Sequence, residues 1–173
     1  LISGILFLNL TAIAAGPTSI LITPPAPKFT DAERQAELAR RRAAVESKMA
    51  DKSIMILFSA EHKLYTNDVN YVFRQENNLY YLTNLKQAGA TLVIRKDGNA
   101  VTETLYLPKR DTRTETWNGK MYSNEDAARV SGIRNIVKSD KRDAFLQTLK
   151  EKKDETLQLI YLLLPESELD EDG

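Results

Sequence analysis

The sequence of 173 residues contains no cysteine, one histidine and one tryptophan. The absence of cysteine excludes disulfide bonds, thiolate metal sites and cysteine nucleophiles. HExxH, GxSxG and GxGxxG motifs and a glycine-rich phosphate-binding loop are also absent, so the common signatures of zinc peptidases, serine hydrolases and nucleotide-binding proteins are missing. The single histidine, His62, has no partner pattern around it and is interpreted as an exposed loop residue.

The chain also lacks net charge, because 24 basic residues balance 24 acidic residues. No overall field therefore favours nucleic acid, and no basic stripe surrounds Tyr80 and Tyr81, the two adjacent tyrosines considered for stacking on bases. The acidic run at 166–172 has no glycine-pinned loop that would shape a cation site. We interpret residues 166–173 as a solvated acidic tail, or as the start of a linker.

The first 15 residues (LISGILFLNLTAIAA) are apolar and uncharged. They are too few for a membrane span of about 20 residues, but they suit the hydrophobic part of a secretory signal peptide, with Ala12-Ile13-Ala14 as a small-x-small cleavage site. Because a basic start is missing, we expect a signal peptide with a truncated beginning, and the alternative is a buried helix. The protein would be exported to the periplasm or the exterior, with no membrane contact after cleavage. The alternative location is the cytoplasm. A proline-rich linker follows at 16–29.

Residues 30–165 combine short apolar runs with amphipathic segments, which predicts one α/β domain with a mixed sheet flanked by helices. The capping-box pattern of Thr30 and Glu33 starts the first helix, and Asp97-Gly98 is typical of a hairpin turn between antiparallel strands. The strand at 157–164 is expected at the centre of the sheet. The predicted helices are 31–50, 123–132 and 140–152, the strands are 53–59, 90–95, 102–107, 135–137 and 157–164, and the loops are 61–67 and 108–120.

Residues 68–85 (DVNYVFRQENNLYYLTNL) mix aromatic and polar side chains in neither a helical nor an alternating pattern. Arg74 and Gln75 lie between the aromatics Phe73 and Tyr80. A guanidinium fixed there indicates a pocket or a subunit contact, because its planar, forked set of N–H donors matches the geometry of a carboxylate. The alternative is a structural arginine that bonds loop carbonyls.

The only tryptophan, Trp117, stands in a polar segment at 110–119 (RDTRTETWNG). A lone tryptophan among polar residues is often the anchor of an interface. The alternative is that Trp117 packs on its own domain.

Both segments resemble the N-terminal domain of Xaa-Pro aminopeptidases (aminopeptidase P), which carries similar YPFRQ-x-x-x-FYYLTG and RD…E-x-W-x-G runs. Asn84 stands where that family usually has glycine, and Val72 where it usually has proline. In the first run the matching residues are Tyr71, Phe73, Arg74, Gln75, Leu79, Tyr80, Tyr81, Leu82 and Thr83; in the second they are Arg110, Asp111, Glu115, Trp117 and Gly119.

The resemblance implies a domain that shapes the substrate entrance of a peptidase and holds subunits of a homo-oligomer together. Proline-containing peptides would be bound through the full enzyme, which removes the residue before proline. The family's two manganese ions belong to a catalytic domain that would begin beyond Gly173, so no catalytic or metal-binding residue is assigned here. The residues expected at the entrance or interface are Arg74, Tyr80, Tyr81, Arg110, Asp111 and Trp117.

Two alternatives remain open from the sequence. In the first, the chain is a stand-alone binding or assembly module without catalytic activity. In the second, it is the N-terminal domain of a related prolidase or creatinase. The RQ-x-x-x-x-YYLT run favours aminopeptidase P over creatinase.

Overall fold

The computed structural model describes residues 28–151 and 154–163. The predicted signal peptide (1–15), most of the predicted linker (16–29) and the predicted acidic tail (166–173) lie outside the described residues. Among the helices that are described, none is long and apolar enough to cross a membrane.

A mixed sheet of five strands, in the order β6-β5-β4-β1-β7, forms the centre of the described fold. The three inner strands are antiparallel, and the two outer strands each run parallel to their neighbour. This arrangement confirms the predicted α/β class with helices around a mixed sheet. The helices are α1 (Asp31–Glu46), α2 (Asn77–Thr83), α3 (Thr112–Asn118), α4 (Asn124–Ser131) and α5 (Asp140–Lys150), and the strands are β1 (Ser53–Phe58), β2 (Leu64–Thr66), β3 (Val69–Asn70), β4 (Thr91–Asp97), β5 (Ala100–Leu107), β6 (Ile136–Lys138) and β7 (Leu159–Leu162).

Local sequence signals explain how several elements begin and end. The capping box of Thr30 and Glu33 is present at the start of α1, where the Glu33 amide donates to the Thr30 hydroxyl over 3.2 Å. Gly98 takes a positive φ of 58° in the turn between β4 and β5. That conformation suits a residue without a Cβ, and it allows the tight antiparallel hairpin that the sequence predicts.

Apolar side chains cover both faces of the sheet. One face packs against α1, α2 and α4 and includes Leu92, Ile94 and Leu105, all fully buried. The other face packs against α5, where Tyr106 stacks on Phe145 with ring centroids 5.8 Å apart. Because neighbouring residues of a strand point to opposite faces, the continuous apolar runs of β1 and β4 supply both layers.

Arg42 ties the helical layer to the sheet. Its side chain is almost fully buried, and its Nε lies 2.7 Å from the Glu103 Oε1 in β5. Its Nη1 donates to the carbonyls of Leu82, in α2, and Ser131, at the end of α4, each over 3.0 Å. One guanidinium therefore satisfies a carboxylate and the carbonyls of two helices.

Three predictions about elements were wrong. The apolar strand at 157–164 is not central, because β7 pairs only with β1 within the described residues and Leu159, Ile160 and Leu162 are 40–49% exposed. The predicted loop at 61–67 contains β2, which pairs with β3 in a small hairpin. The predicted loop at 108–120 contains α3, which begins at Thr112 because the side chain of Asp111 caps the helix.

Candidate functional site

Exposed aromatic and apolar side chains concentrate beside an open groove outside the two core layers. One wall is the hairpin segment 62–73, which contains β2 and β3, and the other wall is α3. The groove has a volume of about 830 Å³. Its lining residues are His62, Asp68, Val69, Asn70, Tyr71, Val72, Phe73, Arg113, Thr114, Trp117 and Asn118.

The hairpin wall is held mainly by its own aromatic side chains. Tyr65 and Tyr71 meet edge to face with ring centroids 4.9 Å apart, and His62 lies 4.9 Å from Phe73. Both contacts join residues from the two arms of the hairpin. Such cross-strand aromatic pairs compensate for the marginal stability of an isolated two-stranded hairpin. His62 lies in a loop before β2, as predicted, but it is half-buried against Phe73 rather than exposed.

The α3 wall is fixed by a small polar network. Asp111 caps the helix, since its Oδ2 accepts from the Thr114 amide over 2.8 Å. Arg110 donates to both carboxylate oxygens of Glu115, over 2.6 and 3.1 Å, and Glu115 Oε1 also accepts from the Met121 amide. Hydrogen bonds from Thr114 lower the pKa of Asp111, and the bond from Arg110 lowers the pKa of Glu115. Both carboxylates therefore stay ionised where they stabilise the helix.

Trp117 is 79% exposed on α3, and this helix buries no residue. Its ring lines the groove opposite the aromatic hairpin. The alternative that Trp117 packs on its own domain was therefore wrong. A large ring left in solvent beside other aromatics is typical of a binding surface.

The six predicted site residues do not form one cluster. Trp117 lines the groove, whereas Arg110 and Asp111 support the helix that carries it. Tyr80 and Tyr81 lie on α2, away from the groove lining; Tyr80 contacts Lys86, and the Tyr81 ring lies 4.3 Å from the Arg41 guanidinium.

Arg74 and Gln75 have opposite environments. Arg74 is exposed and makes no hydrogen bond or ion pair to the described residues, so the alternative of an arginine that bonds loop carbonyls was wrong. Gln75 is buried, and its side chain makes that kind of contact instead: it donates to the Gln87 carbonyl over 3.0 Å. The sequence analysis considered this kind of contact only for Arg74, and it did not predict the role of Gln75.

Several residues of the groove were not predicted as site residues. Tyr71 and Phe73 belong to the quoted 68–85 run, so the sequence carried a signal for them. His62 and Arg113 become neighbours of the groove only through folding. No short-range spacing in the sequence indicates that segments about 40 residues apart would form two walls of one groove.

The described residues contain no group of three or more histidine, aspartate or glutamate side chains able to hold a metal ion. The groove therefore offers aromatic surface, one arginine and one aspartate, but no metal ligand set among those residues. Its chemistry suits binding of an extended polar and apolar chain.

Similarity to known proteins agrees with the fold. The Xaa-Pro aminopeptidase of Haemophilus influenzae is 35% identical over 91 residues, which are 53% of this chain and 21% of that protein. Intermediate cleaving peptidase 55 of Schizosaccharomyces pombe is 26% identical over 155 residues, which are 87% of this chain and 32% of that protein. The chain thus spans between 21% and 32% of the length of these two relatives.

Solved structures show the same architecture. A Bacillus anthracis structure described as an aminopeptidase P has a TM-score of 0.71 at 29% identity, over 81% of this chain and 33% of that chain. An aminopeptidase P variant from Escherichia coli has a TM-score of 0.61 at 26% identity, over 66% of this chain and 26% of that chain. The family model of the aminopeptidase P N-terminal domain matches residues 38–158. Because this match covers more than half of the sequence, the chain belongs to the aminopeptidase P N-terminal domain family.

Proposed function

We propose that this chain is the N-terminal domain of a metal-dependent Xaa-Pro aminopeptidase, an enzyme that removes the N-terminal residue preceding proline. In that enzyme the domain would form part of the substrate entrance and a contact between subunits. The two metal ions, which we expect to be manganese, would be held by a catalytic domain outside residues 1–173. The family membership and the names of the relatives support the reaction class.

The observation that carries the entrance and assembly role is the exposed Trp117 facing an aromatic wall across the groove. Aromatic-lined grooves recognise proline-containing segments because the flat rings pack against the prolyl ring and the extended backbone loses little entropy on binding. A tryptophan is also the residue type that most often anchors a protein interface. Both roles need Trp117 to be accessible, as it is here.

A direct test of the reaction assignment is to incubate this 173-residue chain with manganese and a peptide that has proline in its second position. We expect no release of the first residue, whereas a full-length aminopeptidase P should release it under the same conditions. Release by the chain alone would contradict the assignment of catalysis to another domain.

The assembly role is tested by light scattering over a range of protein concentrations. We expect the chain to associate, and a Trp117→Ala variant to shift the association to higher concentration. A Trp117→Phe variant is the control, because it keeps an aromatic ring at the contact. Equal association of the alanine variant would contradict a contact through α3.

Export is a separate proposal that rests on residues 1–15. N-terminal sequencing of the protein isolated from its producing cells should find a mature start after Ala14 or close to it. An intact start at Leu1 or upstream of it would favour the cytoplasmic alternative.

A further inference from the structure

The two walls of the groove come from separate segments, and neither wall belongs to the buried core. All residues from Lys63 to Val72 are exposed, and α3 buries none of its residues. Besides the aromatic pairs within the hairpin and the Arg110–Glu115 network of α3, polar contacts at the base of the walls connect the two segments. Two glutamines, Gln75 and Gln87, make contacts of that kind.

Gln75 closes the base of the hairpin segment. Its Oε1 accepts from the Ala60 amide and from the Glu76 amide, each over 2.9 Å, so one oxygen joins the two ends of that segment. Its Nε2 donates to the Gln87 carbonyl over 3.0 Å. The side chain is only 7% exposed, so these bonds are made away from competing water.

Gln87 holds the other wall. Its Oε1 accepts from the Tyr122 amide over 3.1 Å, and its Nε2 lies 3.4 Å from the Ala88 carbonyl. Tyr122 follows Met121, whose amide donates to Glu115 in α3 over 3.1 Å. Through Glu115, α3 is thus connected to Gln87 by two consecutive backbone amides.

We propose that Gln75 and Gln87 act together as positioning residues that set the distance between the hairpin and α3. The connection runs from the hairpin base through the Gln75 side chain to the Gln87 backbone, and from the Gln87 side chain to the segment that follows α3. This inference rests on the proposed function only in assigning the groove to peptide binding. The positioning role itself concerns the distance between two segments.

The physical reason is that polar groups held partly or fully away from water have few alternative partners; Gln75 is buried and Gln87 is half-buried. If the Gln75 Nε2 or the Gln87 Oε1 is removed, the opposite carbonyl or amide loses its partner and must find water or shift. The core layers do not include either wall, so they would stay folded while the walls move. A change in groove width without global unfolding is therefore the expected signature of losing either side chain.

Because the chain contains no cysteine, the distance between the hairpin and α3 can be measured by site-directed spin labelling. Thr66, in the hairpin, and Thr116, in α3, are exposed and do not line the groove, so both can be replaced by labelled cysteine. We expect a single narrow distribution of distances between the labels in the otherwise unaltered chain. Gln75→Met and Gln87→Met should each broaden this distribution and shift its mean to longer distances.

Conservative variants separate a positioning role from a general loss of folding. Gln87→Glu keeps an acceptor for the Tyr122 amide and should restore the narrow distribution, whereas Gln87→Met keeps the size of the side chain but has no such acceptor. Gln75→Glu keeps the acceptor for Ala60 and Glu76 and removes the donor to Gln87, so it should broaden the distribution even if Gln75→Met does not fold. Glu61→Met, at an exposed position beside the hairpin segment, is the control and should leave the distance distribution unchanged.

The proposal is overturned if folded Gln75→Glu and Gln87→Met variants, checked by circular dichroism, keep the distance distribution of the parent chain. It is also overturned if Gln87→Glu fails to differ from Gln87→Met. A Xaa-Pro peptide added to the parent chain, followed by Trp117 fluorescence, tests the proposed function separately. No fluorescence change would count against peptide binding at the groove and would leave the distance result intact.

Discussion

The layered sheet and the groove differ in where their apolar side chains lie and in what those side chains contact. In the sheet, Ile94 and Leu105 are fully buried between helices and neighbouring strands. Beside the groove, Val72 is 96% exposed and Trp117 is 79% exposed. In the first region the burial of apolar surface stabilises the fold, whereas the second leaves apolar surface in solvent, where we propose that it contacts another molecule. Substitutions in the two regions should therefore separate stability from binding.

The largest effect on stability is expected at Arg42, which connects the helical layer to the sheet. Arg42→Met would leave Glu103 and the carbonyls of Leu82 and Ser131 without their buried partner. Loss of one partner from a buried polar network destabilises by about 3 kcal/mol. Urea denaturation followed by circular dichroism measures the free energy of unfolding.

Arg40→Met is the matched control for this substitution, because Arg40 lies on the same helix but its side chain is 70% exposed and, among the described residues, pairs with Glu37. We expect a change below about 0.5 kcal/mol, as for most surface ion pairs. Equal losses in the two variants would show that Arg42 does not connect the layers as described.

A smaller effect is expected at Asn84, which ends α2 in a left-handed conformation with φ of 57°. Asparagine tolerates this conformation better than other residues with a Cβ, which explains why it can replace the glycine usual in the family. Asn84→Ala should destabilise by about 1 kcal/mol, and Asn84→Gly should be neutral or stabilising. Thermal unfolding of the two variants, side by side, tests this. A stable alanine variant and a destabilised glycine variant would contradict the conformational explanation.

Glu46 should give a pH-dependent effect, because burial and then the neighbouring Glu103 raise its pKa, while Arg42 and Lys96 oppose the shift. The folded state binds the proton more tightly than the unfolded chain does. This contribution to stability is therefore fully present below about pH 4.5 and is lost as the pH rises through the folded pKa. Glu46→Gln removes the titrating group, so its unfolding free energy relative to the parent should increase between pH 4 and pH 7.

Asp154 provides the control of opposite sign. Its ion pair and hydrogen bond with Arg95, followed by a hydrogen bond from Thr156, lower its pKa to about 2. Its contribution is present above the ordinary pKa of an aspartate and is lost as the pH falls toward 2. Asp154→Asn should therefore lower the free energy of unfolding at pH 7 and change it little near pH 2. The same pH trend in both variants would contradict the assigned directions.

The sequence predicted the layered region well because its signals are local. The capping box at Thr30 and the turn at Gly98 each depend on residues within a few positions, and both were confirmed. The strand β7 was misplaced because an apolar run indicates a strand without indicating its neighbours. Its edge position depends on pairing with β1, about 100 residues earlier in the chain.

The groove was harder to predict because, like the position of β7, it depends on contacts between segments that are distant in the sequence. The sequence identified Trp117 as an unusual residue, and the structure describes it as highly exposed. The opposite wall, including His62, comes close to α3 only in the folded chain. The burial of Gln75 and the exposure of Arg74 also depend on the direction of the backbone between Phe73 and α2, which no local pattern specifies.

The smallest effect on stability is expected at Trp117, despite the size of its ring. Because 79% of the residue is exposed and α3 has no buried residue, Trp117→Ala should change the free energy of unfolding by no more than about 0.5 kcal/mol. The variant loses the only tryptophan of the chain, so unfolding must be followed by circular dichroism rather than by tryptophan fluorescence. A loss comparable to that of Arg42→Met would mean that the ring packs on its own domain. An unchanged stability together with weaker self-association would assign the ring to contact with another molecule.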